Sequence, residues 1–270
     1  MAGRIIRNVL VVLIAAAWLV PTWLVVVNAF TPASKYTGTP RWWFDSADFV
    51  GNVRTAFTTA DVGQGLLNTA IYATLGAAIA VLIAALAGFA VTVMPVRRPA
   101  LWFWVIFLGT VLPLQTFLSP LFTGYARTGL YDTQYGMLLI YVALAVPFAF
   151  FVNRNFMMTV PKELAEASQL DGANWLSMFL RVHLPLARSA LLAAFIFQFT
   201  WIWNDLLFGI TLSLSPNVRP VMATLADLNG SYSTVGPPVV LAGALVASIP
   251  TVVLFFVFQR FFVNSLRLTS

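Results

Sequence analysis

The amino-acid sequence predicts an all-α membrane protein with six transmembrane helices, and two observations support this fold class. Of the 270 residues, 60% are hydrophobic and only 9% are charged, whereas a soluble globular protein carries about 25% charged residues. The hydrophobic residues also fall into long spans, and about 20 apolar residues suffice for a helix to cross a hydrocarbon core. The alternating apolar and polar residues of a membrane β-barrel are absent from these spans. An ordinary soluble enzyme is therefore excluded.

Six spans are long enough to cross the membrane, and we expect one helix in each of them. They lie at about 5–30, 66–94, 100–122, 135–156, 186–210 and 239–262. Several contain an internal proline, which bundled membrane helices tolerate because neighbouring groups satisfy the freed backbone. We expect the whole chain, 1–270, to form a single transmembrane domain.

The first span has two interpretations, a cleavable signal peptide or a retained helix. Arg4 and Arg7 precede it, and the small residues around Ala29 resemble a cleavage site. Its apolar stretch runs from about 9 to 27, however, which exceeds the 7–15 residues typical of a signal-peptide core. A retained first helix at about 5–30 is therefore expected.

The distribution of basic residues predicts the orientation of the chain. Six spans place both termini on one side, and cytoplasmic loops are enriched in lysine and arginine. The basic residues on the side of the termini are Arg4, Arg7, Arg97, Arg98, Arg154, Lys162, Arg181, Arg188, Arg260 and Arg267, and those on the other side are Lys35, Arg41, Arg54, Arg127 and Arg219. We expect a multi-pass protein of the plasma (inner) membrane with both termini cytoplasmic. This distribution explains the net charge of +6 without a nucleic-acid partner.

Missing residue types exclude most catalytic chemistry. The chain has no cysteine, and neither Lys35 nor Lys162 is followed by the serine or threonine of a phosphate-binding loop. The single histidine, His183, falls in a predicted cytoplasmic loop, where we expect a polar surface residue. Of the acidic residues, only Asp205 lies well inside a span. The chain is therefore not expected to be an enzyme or to bind a cofactor.

The loop at about 160–186 is predicted to form two short helices outside the bilayer. Pro161 and Glu163 suit the first turn of a helix, and Gly172 can end it. Asn174 is a plausible cap for a second helix, and we expect Pro185 to stop that helix because a residue preceding proline disfavours the α conformation. Small residues at positions i, i+3 and i+7 would give the first helix one narrow face: Ala165, Ser168 and Gly172.

This loop resembles the EAA loop of the transmembrane subunits of bacterial ABC importers. The family pattern is Glu-Ala-Ala, three residues, Gly, nine residues, Ile, one residue and Leu-Pro. Here Ser168 replaces the second alanine and Val182 replaces the isoleucine, while the spacing is kept. The resemblance implies that the loop couples the chain to an ATPase through these residues: Glu163, Glu166, Ala167, Ser168, Asp171, Gly172, Leu184 and Pro185.

Further segments resemble the carbohydrate branch of that family, of the maltose or glycerol-3-phosphate type. They lie at 67–69, 129–133, 197–205 and 219–221, and the resemblance covers a permease core of about 66–262. It implies a type I (MetI-like) permease fold with a cytoplasmic coupling helix. Two departures are the missing arginine at the end of the second span, 90–93, and a tail at 261–270 without the usual glycines.

The resemblance implies the permease subunit of an ATP-driven sugar importer, which forms half of the translocation pathway. The implied partners are a second, homologous permease, two ATP-binding subunits that carry ATP and Mg, an extracytoplasmic solute-binding protein and the sugar itself. A permease for a polyol or glycerol phosphate is the alternative, and an ion-coupled carrier or a membrane scaffold are rivals from other classes.

A possible substrate path is suggested by side chains that can stack on sugars or hydrogen-bond to their hydroxyl groups: Gln198, Trp201, Trp203, Asn204 and Asp205. Because a carboxylate inside a membrane helix is a functional candidate by default, Asp205 is the first of these to test. The competing interpretation is that the same residues anchor the helix at the interface and end it with an Asn-Asp pair.

Overall fold

A computed structural model describes residues 2–229 and 235–267, and all regular secondary structure in those ranges is helical. Four helices are long and apolar enough to span a membrane: Gly3–Phe30, Val62–Val93, Gln134–Met157 and Pro237–Gln259. Two bent helix pairs bring the number to six if each pair is counted as one span. The prediction of an all-α membrane protein is confirmed.

The chain divides into two compact units, 1–66 with 221–250 and 67–220 with 251–270. The first unit holds α1 (Ala2–Phe30), α2 (Phe49–Ala60), the first turn of α3 (Val62–Val93), α12 (Val221–Asp227) and the first part of α13 (Pro237–Arg267). The second holds the rest of α3, α4 (Pro99–Val111), α5 (Leu118–Thr128), α6 (Gln134–Met157), α7 (Lys162–Leu170), α8 (Trp175–Met178), α9 (Leu184–Leu186), α10 (Arg188–Trp203) and α11 (Leu207–Leu212). The single transmembrane domain stays a prediction.

In the first unit, the buried residues of α1 lie near its C-terminal end, at 27–29, as judged within the described part of the chain. Its side chains are exposed from Gly3 to Thr22, whereas Asn28 is buried. The Asn28 Nδ2 donates a hydrogen bond to Arg41 O at 2.9 Å, and Arg41 N donates one to Asn28 Oδ1 at 2.8 Å. Asn52 of α2 donates to the carbonyls of Ala29 and Thr31 at 2.9 and 2.8 Å. These amides fix the exit of α1, and its first two-thirds contribute nothing to the core.

In the second unit, small residues allow α3, α6 and α10 to pack closely. One buried cluster contains Val81 and Ala84 of α3, Ala149 and Phe150 of α6, and Ala194 of α10. A Cβ at Gly88 would lie 3.2 Å from the backbone nitrogen of Arg154, so the backbones of α3 and α6 are in direct contact there. Such close approach is the usual basis of helix association in membranes, where apolar burial gives little driving force.

Two predicted spans are broken rather than continuous. The span at 100–122 divides into α4 and a segment from 114 to 128 that is bent from it by 91°, with Pro113 at the break because proline cannot continue the backbone hydrogen bonds. The span at 186–210 ends as a helix at Trp203, and α11 follows separately. The backbone of α13 continues to Arg267, so only residues 268–270 of the atypical tail lie outside the described residues.

The contact at Gly88 gives a test of this packing. We expect Gly88→Val to lower the apparent melting temperature of the detergent-solubilised protein, since overpacking at such a site costs about 1–3 kcal/mol. Gly124→Val is the matched control, because a Cβ at Gly124 on α5 would meet nothing within 4 Å. Equal shifts for both variants would contradict the close contact between α3 and α6.

Candidate functional site

The first candidate site is the segment 161–187, which forms a helix, a turn and a broken second helix. The helix α7 carries Glu163 in its first turn, as predicted, whereas Pro161 immediately precedes the helix instead of taking its first position. Gly172 has a φ of +78°, its N–H donates to Gln169 O at 3.0 Å, and the N–H of Ala173 donates to Ser168 O at 3.0 Å. This pair of bonds is the Schellman motif, so Gly172 ends α7 in the conformation that favours glycine.

The second helical segment differs from the prediction at its end. Asn174 caps α8 as expected, accepting a hydrogen bond from Ser177 N at 2.8 Å. Pro185 does not stop the helix: Leu184 keeps α conformation with φ −63° and ψ −45°, and the chain turns only after Leu186. A widened π turn over Phe179–His183 precedes the proline, and the loose hydrogen bonding of such a turn accommodates a residue that cannot donate.

The predicted coupling residues lie on an exposed surface with a buried anchor. Glu163, Glu166, Ala167, Asp171, Gly172 and Pro185 are exposed, and Ser168 and Leu184 are half-buried. The anchor consists of Met178 and Phe179, which pack against Ala85 and Phe89 of α3. A rigid membrane helix therefore carries a solvent-facing segment that presents three carboxylates beside Leu170, which is 89% exposed.

His183 was predicted to be a polar surface residue, and the structure corrects this. Its side chain is 1% exposed, and its ring lies 4.9 Å from that of Phe89. Both ring nitrogens are buried without a hydrogen bond to any described residue. The burial arises because the π turn directs this position toward α3, which the local sequence pattern does not reveal.

The second candidate site is a cavity of about 320 Å³ beside α10. Its wall is largely aromatic and apolar, and it is lined by Gly109, Thr110, Leu114, Leu144, Phe148, Phe197, Gln198 and Trp201. Gln198 is only 4% exposed, and its amide forms no hydrogen bond with another described residue. Because this side chain lines the cavity and its amide is not engaged by another described residue, it is available to a ligand that fills the cavity.

The five residues of the predicted substrate path do not share one surface. Trp201 lines both this cavity and an adjoining one of about 580 Å³, which also reaches Asn204 and Asp205. Trp203 lines neither cavity, because it is buried and stacks on Phe199 with ring centroids 5.4 Å apart. The structure thus brings Gln198 and Trp201 together and separates Trp203 from them.

Asp205 is engaged by the protein itself. Its Oδ2 accepts hydrogen bonds from Tyr141 Oη at 2.9 Å and Gly209 N at 3.1 Å, and its Oδ1 accepts from Phe208 N at 3.4 Å. The carboxylate therefore caps α11 and ties it to α6 through a fully buried tyrosine. This geometry supports the helix-ending interpretation, and sequence reasoning missed Tyr141 because it lies 64 positions away.

A second aspartate, Asp132, joins two loops at the same end of this unit. Its side chain accepts hydrogen bonds from Leu214 N and Ser215 N, both at 2.8 Å, and from Ser215 Oγ. Burial acts to raise the pKa of Asp132, but the hydrogen bonds from Ser215 and Leu214 and the charge of Arg219 hold it below its usual value of 3.8. The carboxylate is consequently ionised at neutral pH and holds the 213–219 loop against the start of α6.

Comparison with known proteins identifies relatives along most of the chain. Residues 80–268 match the family model described as "Binding-protein-dependent transport system inner membrane component". The osmoprotective compounds uptake permease protein of Synechocystis sp. is 30% identical over 266 residues, which cover 96% of this chain and 89% of that protein. The trehalose transport system permease protein of Mycobacterium tuberculosis is 31% identical over 213 residues, covering 78% and 75%.

The fold is also found among solved structures. A bacterial ABC transporter involved in the import of the acidic polysaccharide alginate contains a chain that superposes with a TM-score of 0.80 at 21% sequence identity. The match covers 97% of this chain and 96% of that chain. The type I permease fold implied by the sequence resemblance is confirmed.

The contacts of Asp132 predict a pH-dependent stability. Because the folded-state pKa is depressed, the stabilisation by the carboxylate is present above the usual pKa of 3.8 and is lost as the pH falls through the lower folded value. We expect Asp132→Asn to lower the melting temperature at pH 7, with a loss in the free energy of unfolding of about 1 kcal/mol or less, because the carboxylate is partly exposed and solvent screens its interactions. The difference in melting temperature between the variant and wild type should narrow in acid.

Asp61→Asn is the matched control for this measurement. Asp61 also has a left-handed backbone, with φ 51° against 53° for Asp132, but its side chain makes no hydrogen bond with a described residue. Two results would disprove the stabilising role of the Asp132 carboxylate. One is that Asp61→Asn is as destabilising as Asp132→Asn at pH 7. The other is that the difference in melting temperature between Asp132→Asn and wild type does not change with pH.

Proposed function

The chain belongs to the family of binding-protein-dependent transport system inner membrane components, and on this premise we propose that it is the permease subunit of an ATP-driven sugar importer. Membership of the family makes it a membrane transport component. Relatives named for trehalose, alpha-glucoside and diacetylchitobiose uptake support a sugar as the solute. In this proposal the chain forms half of the pathway and both its termini are cytoplasmic.

The observation that carries the proposal is the exposed segment 162–172 on its buried anchor. A helix of nine residues presents a solvent-facing surface, while Met178 and Phe179 fix the following segment to α3. A force applied to α7 is thereby transmitted through packed side chains to a membrane-spanning helix. Such a connection between α7 and α3 is required in a subunit that lacks an ATP site and responds to the motion of a partner.

The proposed partners follow from that surface. Two ATP-binding subunits would carry ATP and Mg, and one would contact Glu163, Glu166 and Asp171 of this chain. A second, homologous permease would complete the pathway, and an extracytoplasmic binding protein would deliver the solute. Closure of the ATP-binding subunits would then switch the helices between inward-open and outward-open states as rigid bodies.

The cavity beside α10 is the proposed point of contact with the solute. The amide of Gln198 offers an NH2 donor group and a carbonyl acceptor for sugar hydroxyl groups. The rings of Trp201, Phe148 and Phe197 offer faces on which the C–H side of a sugar can stack. The cavity volume of about 320 Å³ falls in the range of small-molecule sites. Asp205 is assigned a positioning role, because its oxygens already accept protein hydrogen bonds.

A second candidate function is a permease for another small hydrophilic solute, such as a polyol or glycerol phosphate. The relative from Synechocystis sp. is named for osmoprotective compounds, which favours this alternative within the same transporter class. The ion-coupled carrier and the scaffold receive no support from the family, whose description names binding-protein-dependent transport.

Substitution of Gly172 tests the coupling role. A Cβ at Gly172 would meet nothing within 4 Å in this chain, and asparagine tolerates a left-handed φ better than most residues. We therefore expect Gly172→Asn to leave membrane insertion intact but to reduce sugar uptake and co-purification of the ATP-binding subunits at least tenfold, because the new side chain projects into the docking surface.

Gly129→Asn is the control, because Gly129 also follows a helix with φ +73° and open space around it. This variant should retain the ATP-binding subunits. Normal uptake and ATPase stimulation by Gly172→Asn would show that the segment does not couple the chain to an ATPase.

Substitution of Gln198 tests the solute contact. We expect Gln198→Leu to raise the KM for sugar uptake roughly tenfold, since removal of hydrogen bonds of this kind costs about 1–2 kcal/mol, while the melting temperature stays unchanged or rises. Thr200→Val on the same helix is the control, because the Thr200 hydroxyl is already bonded to Ile196 O at 2.8 Å. An unchanged KM in Gln198→Leu would remove the solute role of this cavity.

A further inference from the structure

A third cavity lies in the second unit, next to α7 and near the C-terminal ends of α3 and α6. It has a volume of about 590 Å³ and is bounded by the end of α3, the start of α4, the end of α6, the start of α7 and the π turn. The cavity is separate from the one beside α10 and shares no lining residue with it. The wall shares Glu166 with the proposed coupling surface, but the coupling role does not explain Thr92, Arg154 and His183, which also line the cavity.

The wall contains hydrogen-bonding groups without partners. The hydroxyl of Thr92, Nε of Arg154 and both ring nitrogens of His183 are buried and make no hydrogen bond with a described residue, and all three residues line the cavity. His183 is 1% exposed. Buried polar groups are satisfied in nearly all folded proteins, so orphaned groups concentrated around one cavity indicate a polar ligand. The Thr92 hydroxyl and the Arg154 Nε–H can both donate hydrogen bonds to it.

The charge of the wall indicates an anion. Arg154 forms no ion pair with a described residue, and its guanidinium carbon lies 4.6 Å from the ring centroid of Phe103, which holds it in place by a cation–π contact. Lys162 adds a second cation, against one carboxylate, Glu166. A guanidinium whose position is fixed but whose charge is unpaired is well suited to a phosphate group.

The surroundings of the cavity favour a lipid as the source of that phosphate. Pro99 and Ala100 at the cavity edge begin α4, and the following residues expose large apolar side chains, with Leu101 51% and Val105 53% exposed. A headgroup in the cavity would thus have its acyl chains alongside an apolar helix. The proposed orientation places α7 on the cytoplasmic side, where basic pockets between membrane helices are typical of anionic lipid binding, and the lipid assignment rests on that orientation.

We propose that this cavity binds the phosphate group of an anionic membrane lipid, with Arg154 and Thr92 as direct partners and Lys162 as a nearby cation. His183 forms the inner wall, where its ring packs on Phe89. Because α7 contributes to the cavity, a bound lipid would contact the same helix whose outer surface is exposed. The proposal concerns the inner side of α7 and does not depend on which solute the chain transports.

The test is a titration of the complete, purified transporter with phosphatidylglycerol and phosphatidylcholine of equal chain length, followed by native mass spectrometry. We expect wild type to bind phosphatidylglycerol at least tenfold more tightly than phosphatidylcholine. Arg154→Gln should remove this preference, because a charged hydrogen bond of this kind corresponds to a factor of roughly ten or more. Thr92→Val, which keeps the side-chain volume, should weaken phosphatidylglycerol binding several-fold while assembly and melting temperature stay normal.

Arg181→Gln is the control, since Arg181 is exposed in the same segment and does not line the cavity. Equal binding of the two lipids, or an equal loss in Arg181→Gln, would overturn the proposal. Competition with excess inorganic phosphate distinguishes the two sources of the group. If inorganic phosphate bound the cavity more tightly than phosphatidylglycerol, the lipid assignment would be overturned in favour of a soluble phosphate compound.

Discussion

The constraint on which this structure depends is that backbone hydrogen-bonding groups cannot be left unpaired inside a bilayer. A continuous helix meets the constraint by itself, but every break in a helix exposes N–H and C=O groups that lipid cannot satisfy. This chain breaks its helices repeatedly, and acidic and amide side chains satisfy the exposed groups. Asp205 caps α11, Asp132 binds the loop after it, and Asn68 donates to Pro216 O and Arg219 O, both at 2.9 Å. At these three positions the polar side chain therefore serves the fold.

Local features were predicted well from the sequence because their causes are local. The membrane class follows from hydropathy alone. The C-terminal end of α7 and the cap of α8 follow from Gly172 and Asn174, whose hydrogen-bond partners lie three residues away. The same reasoning placed the stop of the second helical segment at Pro185, which was wrong because the preceding π turn accommodates a proline. Such a turn depends on how Phe179 and His183 pack against α3, and no local pattern encodes that packing.

The candidate solute site shows the same limit. Its residues were predicted from side-chain types that can bind a sugar, and that prediction stays untested. The sequence could not divide them into those that face a cavity and those that bond to the protein itself. The division depends on partners far along the chain, such as Tyr141 for Asp205. A polar residue in a membrane helix is thus a functional candidate only after its protein partners have been counted, and by that criterion Gln198 ranks above Asp205.

The exposed part of α1 has a consequence for how this chain can vary. From Gly3 to Thr22 its side chains are exposed, so the requirement on those positions is a hydropathy high enough for a membrane helix rather than a particular shape. Many sequences reach the hydropathy that a membrane helix needs, whereas few have side chains that fit a particular packed interface. Substitutions there should accumulate with little loss of the fold, and the family model, which begins at residue 80, leaves this helix out. The exposed part of α1 contributes little to the core, and its sequence therefore carries little information about the fold.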